Sequence, residues 1–248
     1  MRHLVRDVKV LHGLEILLFS RGRGAYKIAD MYMQVPAVNT TDNGAGVAFW
    51  AGVGGDGYAS SSTVLVQSII SISVANHQEQ VETDIEVYPN ANPYQLPLCQ
   101  TPKVNDRIFL HAESNVNNDG YDYFYIRDDN GNNGNGCSHS CYLGTNNSNP
   151  PTPHCSFNGG SSYNSDSASG ECVAERLHSN GLGGGYEVVE FNPPGNQEQV
   201  TACNVNNGAI GSQAHNYMVL VDQDATVLID VGPITNGTDF PLRWHQGF

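Results

Sequence analysis

Short segments in which apolar and polar residues alternate occur along most of this chain. The alternation is clearest at 82–88 and 122–127, and it has the period of a strand with one buried face. Other segments are short runs of β-branched and aromatic residues bounded by turn formers. Together these patterns predict strands at 32–35, 47–50, 63–74, 82–88, 107–113, 121–127, 186–190, 217–221, 226–231 and 240–244.

No segment has the periodicity of an amphipathic helix, and no fixed repeat is visible. Glycine, with 27 residues, and asparagine are abundant, and both residue types favour turns. The region 128–170 is crowded with Asn, Gly, Ser and Pro, which predicts an extended loop or a set of short strands. Ten or more strands without a repeat predict an all-β fold of the β-sandwich type, with no domain linker.

The charge of the chain limits the classes of partner that it can bind. There are 11 basic and 25 acidic residues, a formal net charge of −14, which argues against a nucleic-acid partner because phosphate binding needs a basic face. No apolar run approaches the roughly 18 residues that cross a bilayer, so we expect no membrane partner. Six of the basic residues lie in the first 27. We therefore divide the chain into a basic N-terminal segment, 1–25, and a sandwich domain, 26–248. The first is either a pro-region remnant or a first strand.

Six cysteines are an even number, which is typical of an exported protein with up to three disulfides. The pairing is open, since six cysteines allow 15 connectivities. A zinc site is the alternative for one cluster, but its spacing does not match the paired CxxC pattern of structural zinc sites. That cluster comprises Cys137, His139, Cys141, His154 and Cys155. Disulfides and secretion are the favoured interpretation, with no metal and no other cofactor.

Four polar residues stand out against strand-like or glycine-rich surroundings. Gln67 interrupts the apolar run 63–70, and Glu86 and Glu175 lie within short strand-like segments. Asp56 follows the glycine-rich segment that begins at Trp50. Each of these residues taken alone is best explained as an outward-facing side chain on an alternating strand.

Taken together and in order, six segments resemble the eqolisin family of glutamic peptidases. The Val-Leu-Val-Gln strand that ends at Gln67 resembles the family's strand ending in its catalytic Gln, and Ala174-Glu175 resembles the segment with its catalytic Glu. Glu86-Val-Tyr88-Pro is similar to the family's Glu-Trp-Tyr-Pro. The segments lie at 26–38, 50–57, 64–67, 86–89, 104–113 and 174–175.

The resemblance implies a concanavalin A-like sandwich of two large antiparallel sheets and an acid-acting endopeptidase that hydrolyses protein or peptide substrates. Glu175 would be the general base and then the general acid, and Gln67 would orient the attacking water and stabilise the oxyanion. The residues expected to line the substrate cleft are Trp50, Asp56, Glu86 and Tyr88.

Two departures from the family pattern bear on activity. Arg176 follows the predicted base where the family usually has Trp, and Asp84 occupies the position of a cleft Trp. These changes leave two alternatives open. One is an inactive relative with a binding or structural role outside the cell, and the other is a lectin-like sandwich that binds carbohydrate through Trp50 and Tyr88.

Overall fold

The structure is a computed structural model, and we number its strands along the chain. It describes residues 26–41, 43–54, 64–88, 94–114, 120–144, 152–155, 170–176, 197–205, 208–209, 220–221, 227–231 and 239–244. The predicted strand at 186–190, the N-terminal segment 1–25 and Asp56 lie outside these ranges.

Two antiparallel sheets contain the strands of the described residues. The larger sheet has nine strands, in the spatial order β12 (Leu220–Val221), β13 (Val227–Val231), β14 (Phe240–Trp244), β10 (Gln197–Val205), β1 (Ile28–Gln34), β6 (Arg107–Ser114), β7 (Tyr121–Asp128) and β8 (Cys137–Gly144), with β11 (Gly208–Ala209) paired to β10. The smaller sheet has the order β5 (Tyr94–Gln95), β4 (Gln78–Tyr88), β3 (Leu65–Ala75), β2 (Gly46–Gly54) and β9 (Gly170–Arg176). One helical turn, α1 (Gly131–Gly134), links β7 to β8. The predicted antiparallel β-sandwich is confirmed.

The sheets pack face to face through one apolar core. Met31 of β1, Ile70 of β3 and Phe124 of β7 are fully buried within it. In β7 the residues from Asp122 onward alternate between buried and partly exposed, as the sequence pattern predicted. By contrast, β2 is buried along its whole length because it lies between β3 and β9 and is covered on both faces.

The six cysteines pair as three disulfides: Cys99–Cys137, Cys141–Cys155 and Cys172–Cys203. The predicted disulfides are therefore confirmed. Cys172 lies in β9 of the smaller sheet and Cys203 in β10 of the larger sheet, so this bond joins the two sheets through the core. Within the described part of the chain, no helix is long and apolar enough to span a membrane.

The outer face of the larger sheet carries aromatic rings and several ion pairs. Tyr32 packs against Phe109 with ring centroids 4.7 Å apart, and Arg107 lies 3.8 Å above the Tyr32 ring. The ion pairs join Arg107 and Arg127 to Asp129, and His111 to Asp30 and Glu113.

Candidate active site

The outer face of the smaller sheet carries Gln67 and Glu86, two of the polar residues that the sequence analysis selected, and we call it the site face. Strand alternation directs Val66, Ser68 and Ile70 of β3 away from it, and places Gln67 on it. A small apolar cluster, separate from the main core, also lies on this face. Its members are Ala48, Trp50, Leu65, Ile69 and Val173.

A hairpin sets the position of Gln67. Strands β3 and β4 are joined by Asn76 and His77, both with positive φ (52° and 59°), as a two-residue hairpin turn requires. That turn sets the register, which places Gln67 directly opposite Glu86. The Gln67 amide donates a hydrogen bond from Nε2 to Glu86 Oε2 at 2.5 Å.

The same row of residues continues across the sheet to a second glutamate. Gln67 is opposite Gly52 of β2, and Gly52 is opposite Glu171 of β9. Glu171 is 2% exposed and lies two inter-strand spacings from Gln67, about 10 Å between Cα atoms. Residues in register across a sheet point to the same face, so Gln67 and Glu171 flank the position of Gly52 on the site face.

Gly52 has a steric reason to be glycine. A Cβ at this position would lie 2.9 Å from Cζ3 of Trp50 and 3.0 Å from Cδ1 of Leu65. The indole of Trp50 therefore packs over Gly52 and forms the floor of the site between Gln67 and Glu171. Trp50, which was predicted to line the substrate cleft, lies on the site face but is only 1% exposed.

Two carboxyl groups of β4 have shifted pKa values. Burial and, to a smaller extent, the charge of Glu82 raise the pKa of Asp84 to about 6. Burial also raises the pKa of Glu86 to about 6; the hydrogen bond from Gln67 lowers it and the charge of Asp84 raises it. Both groups are therefore neutral in acid solution.

Two buried polar atoms on the site face have no hydrogen-bond partner within the described part of the protein. They are Oε1 of Gln67 and Nε1 of Trp50. One is an acceptor and the other a donor, and buried polar atoms are normally paired. The site face therefore offers both a donor and an acceptor to a water molecule or a ligand.

The predicted site residues fall into three groups. Gln67, Trp50 and Glu86 come together on the site face. The backbone of Tyr88 continues β4 opposite Leu65. The backbone of Glu175 is opposite Ala48, which places it four residues, about 13 Å, along β9 from Glu171.

The sequence analysis missed Glu171. The available signal was the strand period, because Glu171 and Glu175 are separated by an even number of residues and so share a face of β9. Asp84 was noted only as a departure from the family. Over the described residues, no group of three or more His, Cys, Asp or Glu side chains is arranged to hold a metal ion.

Comparisons with known proteins were made by sequence and by structure. No protein-family profile and no curated protein sequence matches the chain. Scytalido-glutamic peptidase, solved with a peptide based transition state analog, superposes with a TM-score of 0.66 at 16% identity, over 93% of this chain and 98% of that chain. SCP-B, a member of the Eqolisin family of peptidases solved with the tripeptide Ala-Ile-His, has a TM-score of 0.63 at 15% identity, with 93% and 98% covered.

A third similar structure extends the comparison. Aspergilloglutamic peptidase from Aspergillus niger has a TM-score of 0.50 at 18% identity, over 81% of this chain and 99% of that chain. Nearly the whole length of each of these three structures aligns with this chain. The sequence identities are too low to show a shared function. The protein has the fold of the glutamic peptidases, as the resemblance of its sequence predicted.

Proposed function

We propose that this protein is a secreted, acid-acting glutamic endopeptidase that hydrolyses peptide bonds in protein or peptide substrates. The observation that carries the proposal is the row Glu86–Gln67–Gly52–Glu171 on one face of a glutamic-peptidase fold. It sets a buried amide, with an unpartnered oxygen, on the same face as a buried carboxyl group. Three disulfides are compatible with life outside the cell.

The general base is one of two glutamates of β9. The family resemblance selects Glu175, whereas the register favours Glu171, because Glu171 is in the row of Gln67 and Glu175 is two rows away. Along β9, Glu175 is displaced from the row of Gln67 by about 13 Å, which is more than one water molecule can bridge. We therefore assign the base to Glu171 and retain Glu175 as the alternative.

The proposed reaction needs only an amide and a carboxyl group. The glutamate accepts a proton from water as the water oxygen attacks the scissile carbonyl carbon. Gln67 Oε1 accepts a hydrogen bond from that water, and the second N–H of its Nε2 can donate to the developing oxyanion. The protonated glutamate then gives its proton to the leaving nitrogen as the C–N bond breaks, which releases an amine and a carboxylic acid.

Acid operation follows from the neighbouring carboxyl groups. Asp84 and Glu86 both have pKa values of about 6, so below that pH they are neutral. The site then carries two fewer negative charges, so it repels an electron-rich transition state less strongly. We expect activity to fall as pH rises through 6.

The test is cleavage of an unfolded protein at acid pH by the wild type and three variants. Gln67→Ala and Glu171→Gln should each abolish cleavage, while Glu175→Gln should retain most of it. Circular dichroism and thermal unfolding confirm that each variant is folded. Loss of cleavage in Glu175→Gln with full activity in Glu171→Gln would move the base to Glu175. No cleavage by folded wild type at any acid pH would contradict the peptidase proposal and support the inactive relative.

The burial of Trp50 bears on the lectin-like alternative. Carbohydrate binding through Trp50 would need an exposed indole face, and Trp50 is 1% exposed. The burial of this indole therefore argues against carbohydrate binding on this face of the sandwich.

A further inference from the structure

One face of β4 carries three carboxyl groups in a line, and we call Glu82, Asp84 and Glu86 the β4 acids. They alternate with Val81, Thr83, Ile85 and Val87, which point to the opposite side of the strand. Asp84 is 8% exposed, Glu86 is half-buried and Glu82 is exposed. Asp84 is opposite Ile69, so it lies in the row next to that of Gln67.

No cation balances the β4 acids among the residues that the structure describes. None of the ion pairs that Arg107, Arg127 and His111 form reaches these acids, since their partners are Asp30, Glu113 and Asp129. On the neighbouring strands, Asp84 is opposite Ile69 of β3 and Gln95 of β5, neither of which titrates. A line of buried and half-buried carboxyl groups without a counter-ion is unfavourable, and a bound cation would relieve it.

A second observation, made on the residues next to this line, indicates that the site face binds a ligand. Gln67 is 4% exposed, its Nε2 donates to Glu86, and its Oε1 has no partner in the described part of the protein. The unpartnered oxygen belongs to an amide that touches the β4 acids. The indole Nε1 of Trp50, in the row of Asp84, is also unpartnered. Among the described residues, the hydrogen-bonding capacity of the site face is therefore unused and available to a bound molecule.

We propose that the substrates of this site carry a lysine or arginine side chain within two residues of the scissile bond, and that Asp84 binds its cationic group. The inference rests on the proposed peptidase function and names its substrate class. Asp84 and Glu86 are two residues apart, about 7 Å along the strand. Alternate side chains of an extended peptide have the same spacing, so a peptide reacting beside Gln67 can place a side chain over Asp84.

The chemistry of Asp84 suits a cationic partner. An ammonium or guanidinium group donates charge-assisted hydrogen bonds to a carboxylate, and these are among the strongest polar contacts in proteins. A cation held beside Asp84 lowers the pKa of its carboxyl group, so Asp84 can bind the substrate as a carboxylate at a pH where it is neutral in the empty site. We expect kcat/KM for a Lys or Arg peptide to exceed that for its norleucine or Gln counterpart by about 10- to 100-fold.

The experiment uses peptides with one cleavable bond and Lys, Arg, norleucine, Gln or Glu at each of the two positions on either side. Values of kcat/KM are measured at a pH near the pKa of Asp84 for wild type, Asp84→Asn, Asp84→Glu and the control Glu79→Gln. Glu79 is an acid of the same strand on its opposite side. Asp84→Asn should lose the basic preference while it still cleaves norleucine peptides, and the other two variants should keep it.

A binding measurement separates this inference from the proposed function. Calorimetry with a Lys peptide that has a non-cleavable bond reports recognition without turnover. Binding that depends on Asp84, without cleavage of any peptide, would support the inference and contradict the peptidase. Cleavage with no basic preference in wild type, or a preference that persists in folded Asp84→Asn, would overturn the inference alone. Neither binding nor cleavage by folded wild type would overturn both.

Discussion

Gln67 donates a hydrogen bond from its side-chain amide to the carboxyl group of Glu86, which lies directly opposite it on the neighbouring strand. The bond fixes the orientation of the amide, with Nε2 toward Glu86 and Oε1 directed elsewhere. Orientation matters because only Oε1 can accept a hydrogen bond from the attacking water.

Removal of the acceptor should therefore impair catalysis more than binding. We expect Glu86→Leu to lower kcat by about 10- to 100-fold, somewhat less than the loss of an oxyanion donor itself. KM should change little. Glu86→Gln keeps an acceptor and should lose less activity. Steady-state kinetics on both variants checks this, and equal losses in the two would contradict an orienting role.

The β4 acids make the stability of the protein depend on pH. Asp84 and Glu86 have raised pKa values, about 6, in the folded protein, so between pH 4 and 6 the folded state binds more protons than the unfolded chain. The free energy of unfolding should therefore fall as pH rises through this window. In Asp84→Asn we expect the decrease in the free energy of unfolding across this window to be smaller by about 2 kcal/mol. Urea unfolding at a series of pH values measures it, and an unchanged slope in the variant would contradict it.

His111 should add a second pH dependence at higher pH. Burial lowers its pKa, but the carboxylates of Asp30 and Glu113, 3.6 and 2.9 Å away, raise it to about 9. Its charge then stabilises the fold fully below pH 6.5, and that contribution is lost as pH rises through 9. At pH 6 we expect His111→Asn to lower the free energy of unfolding by about 2 kcal/mol, which urea unfolding measures. The variant should not lose further stability between pH 6.5 and 9.

The exposed turn residue His77 provides the matched control for His111. His77→Asn suits the positive φ of this position and should leave the pH dependence of unfolding unchanged. A similar effect of both substitutions would show that the buried ion pairs of His111 are not responsible.

The disulfide between the sheets should contribute more than the one at the edge. Cys172–Cys203 encloses a sequence separation of 31 and both residues are fully buried, whereas Cys141–Cys155 encloses 14. Loop entropy predicts a loss of about 3–4 kcal/mol for Cys172→Ala with Cys203→Ala, and less for the shorter loop. Urea unfolding of the two double variants compares them. An equal or larger loss for the edge pair would contradict the expectation.

Gly52 should not accept a side chain without cost. The Cβ of Gly52→Ala would meet the Trp50 ring and Leu65 at about 3 Å, so the indole must shift. We expect a loss of about 1–3 kcal/mol in the free energy of unfolding and a further loss of kcat, because Gln67 and Glu171 flank this position. Unfolding, kinetics and Trp fluorescence follow the shift together. Wild-type values for all three would contradict the packing.

Much of the fold was predictable from local pattern. The alternation in 82–88 and 122–127 predicted strands that lie within β4 and β7, each with one buried face as expected. Gln67 was found because a polar residue interrupts an apolar run, and its pairing with Glu86 depends on a two-residue turn between neighbouring strands. These features are decided by residues close together in the chain.

Strand β10 was not predicted, and β9 was noted only as the short strand-like segment around Glu175, since polar residues give both strands a weak local signal. Each forms through partners distant in the chain, β2 for β9 and β1 for β10, and the Cys172–Cys203 bond joins them. Tertiary pairing outweighs weak local propensity in such segments.

The sequence by itself determined an all-β chain, its cysteine-stabilised character, its resemblance to the glutamic peptidases and the position of Gln67. Only the tertiary structure decided which glutamate of β9 stands in the row of Gln67. Glu171 and Glu175 are four residues apart, so the strand period directs both to the same face and cannot distinguish them. The pairing of β2 with β9 makes the distinction, because register between strands distant in sequence is set by their contacts in the folded sheet.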